Sequence, residues 1–208
     1  KTKKIYSYEG REKSPKKIPN TIFLDQNGNP KKFFEAAVGG LSVGVPATLK
    51  TLKQIHKDFG FLEWEKIIKY TIDFSEKGFF PSPRLINALK KEKYLFRLNQ
   101  NSIYKKILVN PEEKFINKDY TKTLKTISHN FSDFYDGGIG KEIIKTVKDS
   151  KNPGFINFSD LKLYNPKKQL AFCYKLDKNF TLCGPNLPSS GTICILQALI
   201  IYENILKK

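Results

Sequence analysis

The sequence has no methionine, one tryptophan, three cysteines and, among 37 lysines and arginines, only three arginines (Arg11, Arg84 and Arg97). Each scarcity excludes something. Without Met the chain does not open on a translational start, so its 208 residues are expected to be a piece of a longer protein. The lack of a leader peptide in such a piece says nothing about compartment. Three cysteines are too few for a disulfide scaffold. No apolar run approaches the ~20 residues that cross a bilayer. The richest, residues 193–201, contains Gln197 and belongs to an amphipathic segment, so no membrane span is expected. The net charge of +17 invites a nucleic-acid partner. Arginine is the residue favoured for bidentate phosphate and base contacts, however, and the lysines are scattered along the chain. Solvated faces, enriched in Lys as A/T-rich codons would enrich them, account for the charge. No specific nucleic-acid partner is expected, and a basic nucleic-acid-binding module is kept only as an alternative.

Chemistry-bearing motifs are equally sparse. His56 and His129 stand alone, without a second ligand at metal-binding spacing, and His56 falls on an apolar helical stripe. No Gly-x-Ser-x-Gly elbow is present. Ser189 and Ser190 precede a helix, where serine is first of all a cap. No metal and no cofactor is expected.

What is present is a 39% hydrophobic, 13% aromatic chain, long enough to bury a core. Residues 1–20 read as a polar extended segment, and residues 21–24 as a short strand before a Gly/Asn turn at 27–29. From Pro46 the period becomes helical: Leu49, Leu52, Ile55, His56 and Phe59 form one stripe, closed by Gly60. A second helix, residues 63–77, is expected to bury Trp64, Ile67, Ile68, Thr71 and Phe74 and to stop at Gly78. Ser82 with Pro83 signals the cap of a third, running to about Phe96. Asp119 is read as the cap of a helix holding Tyr120, Leu124 and Ile127. Ile139 to Val147 follows with Ile143, Ile144 and Val147 inward, then a turn at 159–161. "QLAFCYKLDKNFTLCG" reads as a hairpin turning at residues 177–179, which sets Cys173 opposite Cys183. Directly opposed positions come within disulfide range, but the expectation is two buried thiols packed as small hydrophobes. A Pro/Ser/Gly loop then runs into a long apolar helix. No repeat or linker interrupts the chain, so residues 1–208 are read as a single domain, helix-rich α+β.

The stretch "GGLSVGVPATLKTL", residues 39–52, turns sharply into a helix. Leu41, Ser42 and Val43 are read as an extended stub, Gly44 as the residue granting unusual backbone angles, and Pro46 as the first helical residue. Val45 would then be a cap unable to accept a hydrogen bond. The glycine spacing matches neither the dinucleotide fingerprint nor the P-loop, so a structural turn is expected rather than a phosphate site.

Read in order, several stretches resemble one family. "VGGLSVGVPATLKTLKQIHKDFGFLEWEKIIKYTIDFSEKGFFPSPRL" is similar to the Gly-Val-Pro-Gly-Thr helix start, His-x-x-(Tyr/Phe)-Gly and Glu-Gly-Phe-x-Val-Ser-Pro signals of the γ-glutamyltransferase large subunit. Ala47 replaces the usual second glycine, and Phe80-Pro81 the common Pro-Val. "PNLPSSGTICILQALIIYEN" resembles the family's Pro-Ser-Ser-Gly-Gly stretch, with Thr192 for the second glycine. "GFINFSDLKLY" resembles its Gly-x-(Ile/Leu)-Thr-x-x-Asp-Leu-x-x-Tyr. The resemblance is collinear over nearly the whole chain.

It implies an N-terminal-nucleophile hydrolase, an αββα sandwich of which this chain would be an incomplete part of the large subunit. Such proteins cleave themselves in two. The threonine exposed at the start of the small subunit attacks a γ-glutamyl amide such as glutathione, and water or an amino acid takes the acyl group. "YEGREKSP" resembles the family's Arg-Glu-x-(Ala/Ser)-Pro, which implies that Arg11 binds the substrate α-carboxylate through its guanidinium fork. The sequence has no Thr-Thr or Thr-His pair, so no catalytic residue is assigned in this chain. The implied partners are glutathione or another γ-glutamyl compound and a small subunit carrying the nucleophile. A periplasmic or cell-surface location is implied, inactivity of this piece alone is expected, and a non-catalytic remnant is the further alternative.

Overall fold

The computed structural model describes residues 4–92, 96–97, 99–176 and 179–206. The chain divides into two compact units. The first comprises Lys1–Glu12, Pro46–Phe59 and Asn165–Lys208; the second comprises Lys13–Val45 and Gly60–Tyr164.

The second unit is helical. After the short α1 (Phe33–Ala37), it holds α3 (Trp64–Lys77), α4 (Pro83–Lys91), α5 (Lys105–Val109), α6 (Lys118–His129), α7 (Asp133–Asp136), α8 (Gly138–Lys148) and α9 (Phe158–Leu163). Two caps explain where helices start. Ser82 accepts from Leu85 N–H with Pro83 at the first turn, as the sequence reading expected. At α9, Asn157 and Asp160 form a reciprocal capping box. Asn117, not Asp119, caps α6, accepting from Tyr120 N–H at 3.0 Å; Tyr120 consequently faces solvent while Leu124 and Ile127 are buried. Helix α3 packs on α6 through Trp64, whose indole N–H donates to the Ile127 carbonyl, and through Ser75, whose hydroxyl pairs with that of Thr121. That line, rather than the expected Ile67, Thr71 and Phe74, faces inward: Phe74 is 60% exposed and no α3 residue is buried. Ile107, Ile156 and Leu161 are completely enclosed. Leu89, Ile107 and Phe115 form one cluster of this core, flanked by Phe79, Leu85 and Ile86.

The expected strand at residues 21–24 is a set of turns ending in a single bridge, Leu24 to Pro30. Asp25 closes it by accepting from the amides of Asn27 and Asn29, a local pattern that competes with strand pairing. Residues 41–43 are a turn, not an extended stub, with Val43 N–H bonded to the Gly40 carbonyl. The special backbone belongs to Gly39 (φ 114°), not Gly44. Gly40 is pressed against the 147–154 loop, its amide donating to Ser150 Oγ, where a side chain would strike the Val147 carbonyl. Val45 makes a bridge to Lys13 instead of capping a helix.

The first unit carries the strands. β1 (Tyr6–Glu9) pairs antiparallel with β2 (Lys167–Leu170), Tyr6 opposite Leu170 and Glu9 opposite Lys167. β3 (Phe172–Lys175) and β4 (Thr181–Gly184) form the hairpin in the expected register, Cys173 opposite Cys183. Of its expected turn, Asp177 and Lys178 lie outside the described residues. Leu176 N–H bonds the Phe180 carbonyl, so alternation leaves Cys173 and Cys183 at a non-hydrogen-bonded pair, the closer kind. Their Cα atoms are 4.1 Å apart and their sulfurs are bonded. The expectation of two buried thiols fails because β3 is exposed, offering no interior for them. Helix α2 (Thr48–Phe59) starts two residues later than expected, after Pro46 and Ala47. Helix α10 (Gly191–Leu206) is apolar around its circumference; Leu196 is buried while Ile195, Ile201, Tyr202 and Ile205 are exposed.

Candidate functional site

Arg11 follows β1 by two residues. Its register begins with the sheet: Glu9 ends β1 opposite Lys167, whose ammonium lies 3.5 Å from the Glu9 carboxylate. Gly10 comes next, and then Arg11, with a side chain 67% exposed. The Arg11 Nε–H donates to Glu12 Oε1 at 3.2 Å. The Glu12 carboxyl is held below its ordinary value, first by its own backbone amide and then by the Arg11 guanidinium.

The strand that delivers Arg11 is tied to α2. The Tyr8 hydroxyl donates a short hydrogen bond to Asp58 Oδ2, Lys168 Nζ sits 2.8 Å from the same oxygen, and Gln54 Nε2 donates to Oδ1 at 3.0 Å. The Lys168 ammonium also lies over the rings of Tyr6, Tyr8 and Phe59, at 4.6, 5.8 and 5.4 Å from their centroids. A cation flanked by π faces and a carboxylate stays charged. Lys168 is accordingly pushed up, chiefly by Asp58; Asp58 is pushed down, chiefly by Lys168 and then Tyr8; and burial raises Tyr8. Sequence reading missed this cluster. Its three charged and hydroxyl partners, Tyr8, Asp58 and Lys168, are 50 and more residues apart, so no local motif joins them.

The other candidates are divided between the two units. His129 is exposed, with Nδ1 3.6 Å from Glu65 Oε1, and belongs to the helical unit. His56 is half-buried on α2 in the strand-bearing unit. Among the described residues no three His, Cys, Asp or Glu side chains assemble as metal ligands, and no helix is long and apolar enough to cross a membrane. Ser189 and Ser190 are exposed, the Ser190 carbonyl accepting from Cys194 N–H in the first turn of α10. A groove of about 510 Å³ between α3 and α6 is lined by opposed charges, Lys69 with Asp73 and Lys125 with Glu76 among them, so its charges satisfy one another.

A family model described as gamma-glutamyltranspeptidase matches residues 1–208, the whole chain. The chain belongs to the γ-glutamyltranspeptidase family. A similar relative is a glutathione hydrolase proenzyme of Bacillus subtilis subsp. natto, 31% identical over 98% of this chain and 35% of its own length. Among solved structures, the γ-glutamyltranspeptidase of Pseudomonas nitroreducens complexed with L-DON superposes with a TM-score of 0.85 at 28% identity, over 97% of this chain and 59% of that one. The Helicobacter pylori γ-glutamyltranspeptidase gives 0.82 at 28% identity, over 95% and 57%. The fold is therefore part of the N-terminal-nucleophile hydrolase architecture of γ-glutamyltranspeptidases, helix-rich α+β as expected from the sequence. The chain spans about a third of the length of the curated relatives it matches.

Proposed function

We propose that this chain is part of the large subunit of a γ-glutamyltransferase that transfers or hydrolyses the γ-glutamyl group of glutathione and related amides. In this reading Arg11 binds the α-carboxylate of the γ-glutamyl group, and the nucleophile is a threonine of a small subunit. The threonine oxygen bonds to the γ-carbonyl carbon, the amide C–N bond breaks, and the amine leaves with the hydroxyl proton. Water or an amino acid then takes the acyl group. The chain alone is inactive in this reading.

The observation that carries the proposal is a family match running through all 208 residues, with Arg11 at the end of a pinned strand and open to solvent. The Glu12 contact does not oppose it. An exposed ion pair is worth roughly 0–1 kcal/mol, whereas a bidentate charged contact with substrate supplies about 1.5–3 kcal/mol. An arriving carboxylate can therefore displace Glu12. Export to an oxidising compartment, periplasm or cell surface, is part of the same reading and is supported by the Cys173–Cys183 bond.

The test is co-production of this chain with the rest of the large subunit and the small subunit, followed by a γ-glutamyl-anilide assay of wild type and Arg11→Ala. A rise in KM of roughly 10- to 150-fold is expected from loss of the contact. Unchanged kinetics would remove Arg11 from the site.

A further inference from the structure

An exposed arginine owes its precision to the backbone beneath it, so the question is what holds residue 11 in place. Gly10, the single residue between β1 and Arg11, lies directly on Thr51 of α2. A Cβ at Gly10 would fall 2.8 Å from both Cβ and Cγ2 of Thr51 and closer still to its hydroxyl oxygen. Ordinary van der Waals contact begins near 3.4 Å. Thr51 cannot swing aside. It is the one buried residue of α2, it is β-branched, and its hydroxyl donates to the Ala47 carbonyl at 3.0 Å. Seven residues on, the same face of α2 presents Asp58, which receives the Tyr8 hydroxyl and the Lys168 ammonium. The strand is thus held to one helix on both sides of Glu9, at Tyr8 by a polar pin and at Gly10 by steric contact.

We infer that Thr51 is a positioning residue for Arg11, acting through Gly10, and that glycine stands at position 10 because only it lets the strand lie this close to α2. The inference rests on the reading of Arg11 as the carboxylate-binding residue. Bidentate recognition tolerates displacements of only about 0.5 Å. An added methyl would push the strand by about that much or more, from 2.8 Å to beyond 3.4 Å. The resulting loss should appear in substrate binding.

The test compares Gly10→Ala, Thr51→Gly and the pair Gly10→Ala/Thr51→Gly in the co-produced protein, with γ-glutamyl-anilide as probe. Gly10→Ala should raise KM about 10-fold or more, since misplacement near 1 Å costs up to ~100-fold. The double variant, which removes all three colliding atoms, should recover to within about 3-fold of Thr51→Gly alone, allowing for the helix cost of glycine. In an Arg11→Ala background Gly10→Ala should add nothing to KM, which a merely structural role would not produce. Arg11→Ala without effect would sink the carboxylate reading. Arg11→Ala with its effect, but Gly10→Ala harmless, not rescued, or additive with it, would overturn the positioning role alone. The Arg11 Nε–Hε NMR signal of the 208-residue chain supplies a readout independent of turnover: it should move in Gly10→Ala and return in the double variant, and an unmoved signal would refute the inference. Where Gly10→Ala fails to fold, Thr51→Ala, which opens a gap instead of a clash, should shift the same signal, and an unchanged one would likewise refute it.

Discussion

The two units of this chain are stabilised by different means. Among the described residues, the buried hydrophobic side chains lie almost entirely in the helical unit, from Leu41 to Tyr164; the strand-bearing unit contributes only Ala47 and Leu196. The helical unit is organised around enclosed Ile107, Ile156 and Leu161, with capped helix starts. The strand-bearing unit has two-stranded sheets and exposed Leu52, Phe59, Ile195 and Ile201. A two-stranded ribbon is marginal on its own, and here β3–β4 is stapled by Cys173–Cys183 while β1–β2 is pinned through Tyr8, Asp58 and Lys168. Burial is non-directional and forgiving of detail, while bonds and polar pins fix particular atoms. The residue proposed to touch substrate, Arg11, belongs to the unit built from pins.

This contrast can be broken most directly at Leu161. Leu161→Ala should cost about 2–5 kcal/mol in chemical denaturation, the range for an enclosed leucine; a cost under about 1 kcal/mol would remove the core from the account. Next in size is the staple. Reducing Cys173–Cys183, or Cys183→Ser, should free about 2–3 kcal/mol of constraint over its ten-residue separation. Amide exchange in β3 and β4 should accelerate by roughly 30- to 150-fold while amides at Ile107 and Leu161 keep their rates. Equal acceleration in both units would erase the distinction.

A smaller effect is expected at the cap of α9. Asn157→Ala removes one half of the capping box and should cost about 1 kcal/mol in thermal or denaturant unfolding. Acid sharpens the comparison further, because Asp133 in the helical unit and Asp58 in the strand-bearing unit are both depressed. Asp133 is lowered by the amides of Ile139 and then Gly138 at the start of α8; Asp58 is lowered by Lys168 and then Tyr8. A depressed folded value means that each contributes stability above the ordinary aspartate range and loses it as pH falls through that range toward the depressed value. Asp133→Asn should flatten the acid limb reported by α8 amides, and Asp58→Asn that reported by β1 and β2 amides; a swap of reporters would contradict the assignment. Lys168, raised by Asp58, works in the opposite sense, its contribution being lost as pH climbs past the ordinary lysine range. The smallest effect is at Glu12: Glu12→Gln should leave stability close to that of the parent chain, as for any exposed pair. A larger loss would make the Arg11–Glu12 contact structural and weaken the case for its displacement by substrate.

Local signals were read well where one turn of chain carries the physics. Ser82-Pro83, the stop at Gly78, the inward Ile144 and Val147, and the hairpin register follow from neighbours within a few residues. Readings failed where a distant partner decided. The Leu49–Phe59 stripe of α2 suggested which face turns inward, yet the buried residue is Thr51, because Gly10 lies against it. Gly39 rather than Gly44 takes the left-handed conformation, and Gly40 packs against a loop more than a hundred residues away. Arg11 entered only through family resemblance, since an arginine among Glu9, Glu12 and Lys13 carries no local mark of function.

The sequence by itself determined where several helices begin, that Leu124 and Ile127 of α6 and Ile144 and Val147 of α8 face inward, the pairing of Cys173 with Cys183 across the hairpin, and membership of the γ-glutamyltranspeptidase family. Capping, periodicity and turn chemistry act over a few residues, so they are written locally. Only the tertiary structure decided that the paired cysteines are bonded on an exposed ribbon, that Asp58 collects Tyr8 and Lys168, and that Thr51 bears on Gly10 beside Arg11. Those facts depend on close approach between segments far apart in the chain, and contact distance is a property of the folded backbone rather than of any stretch of it.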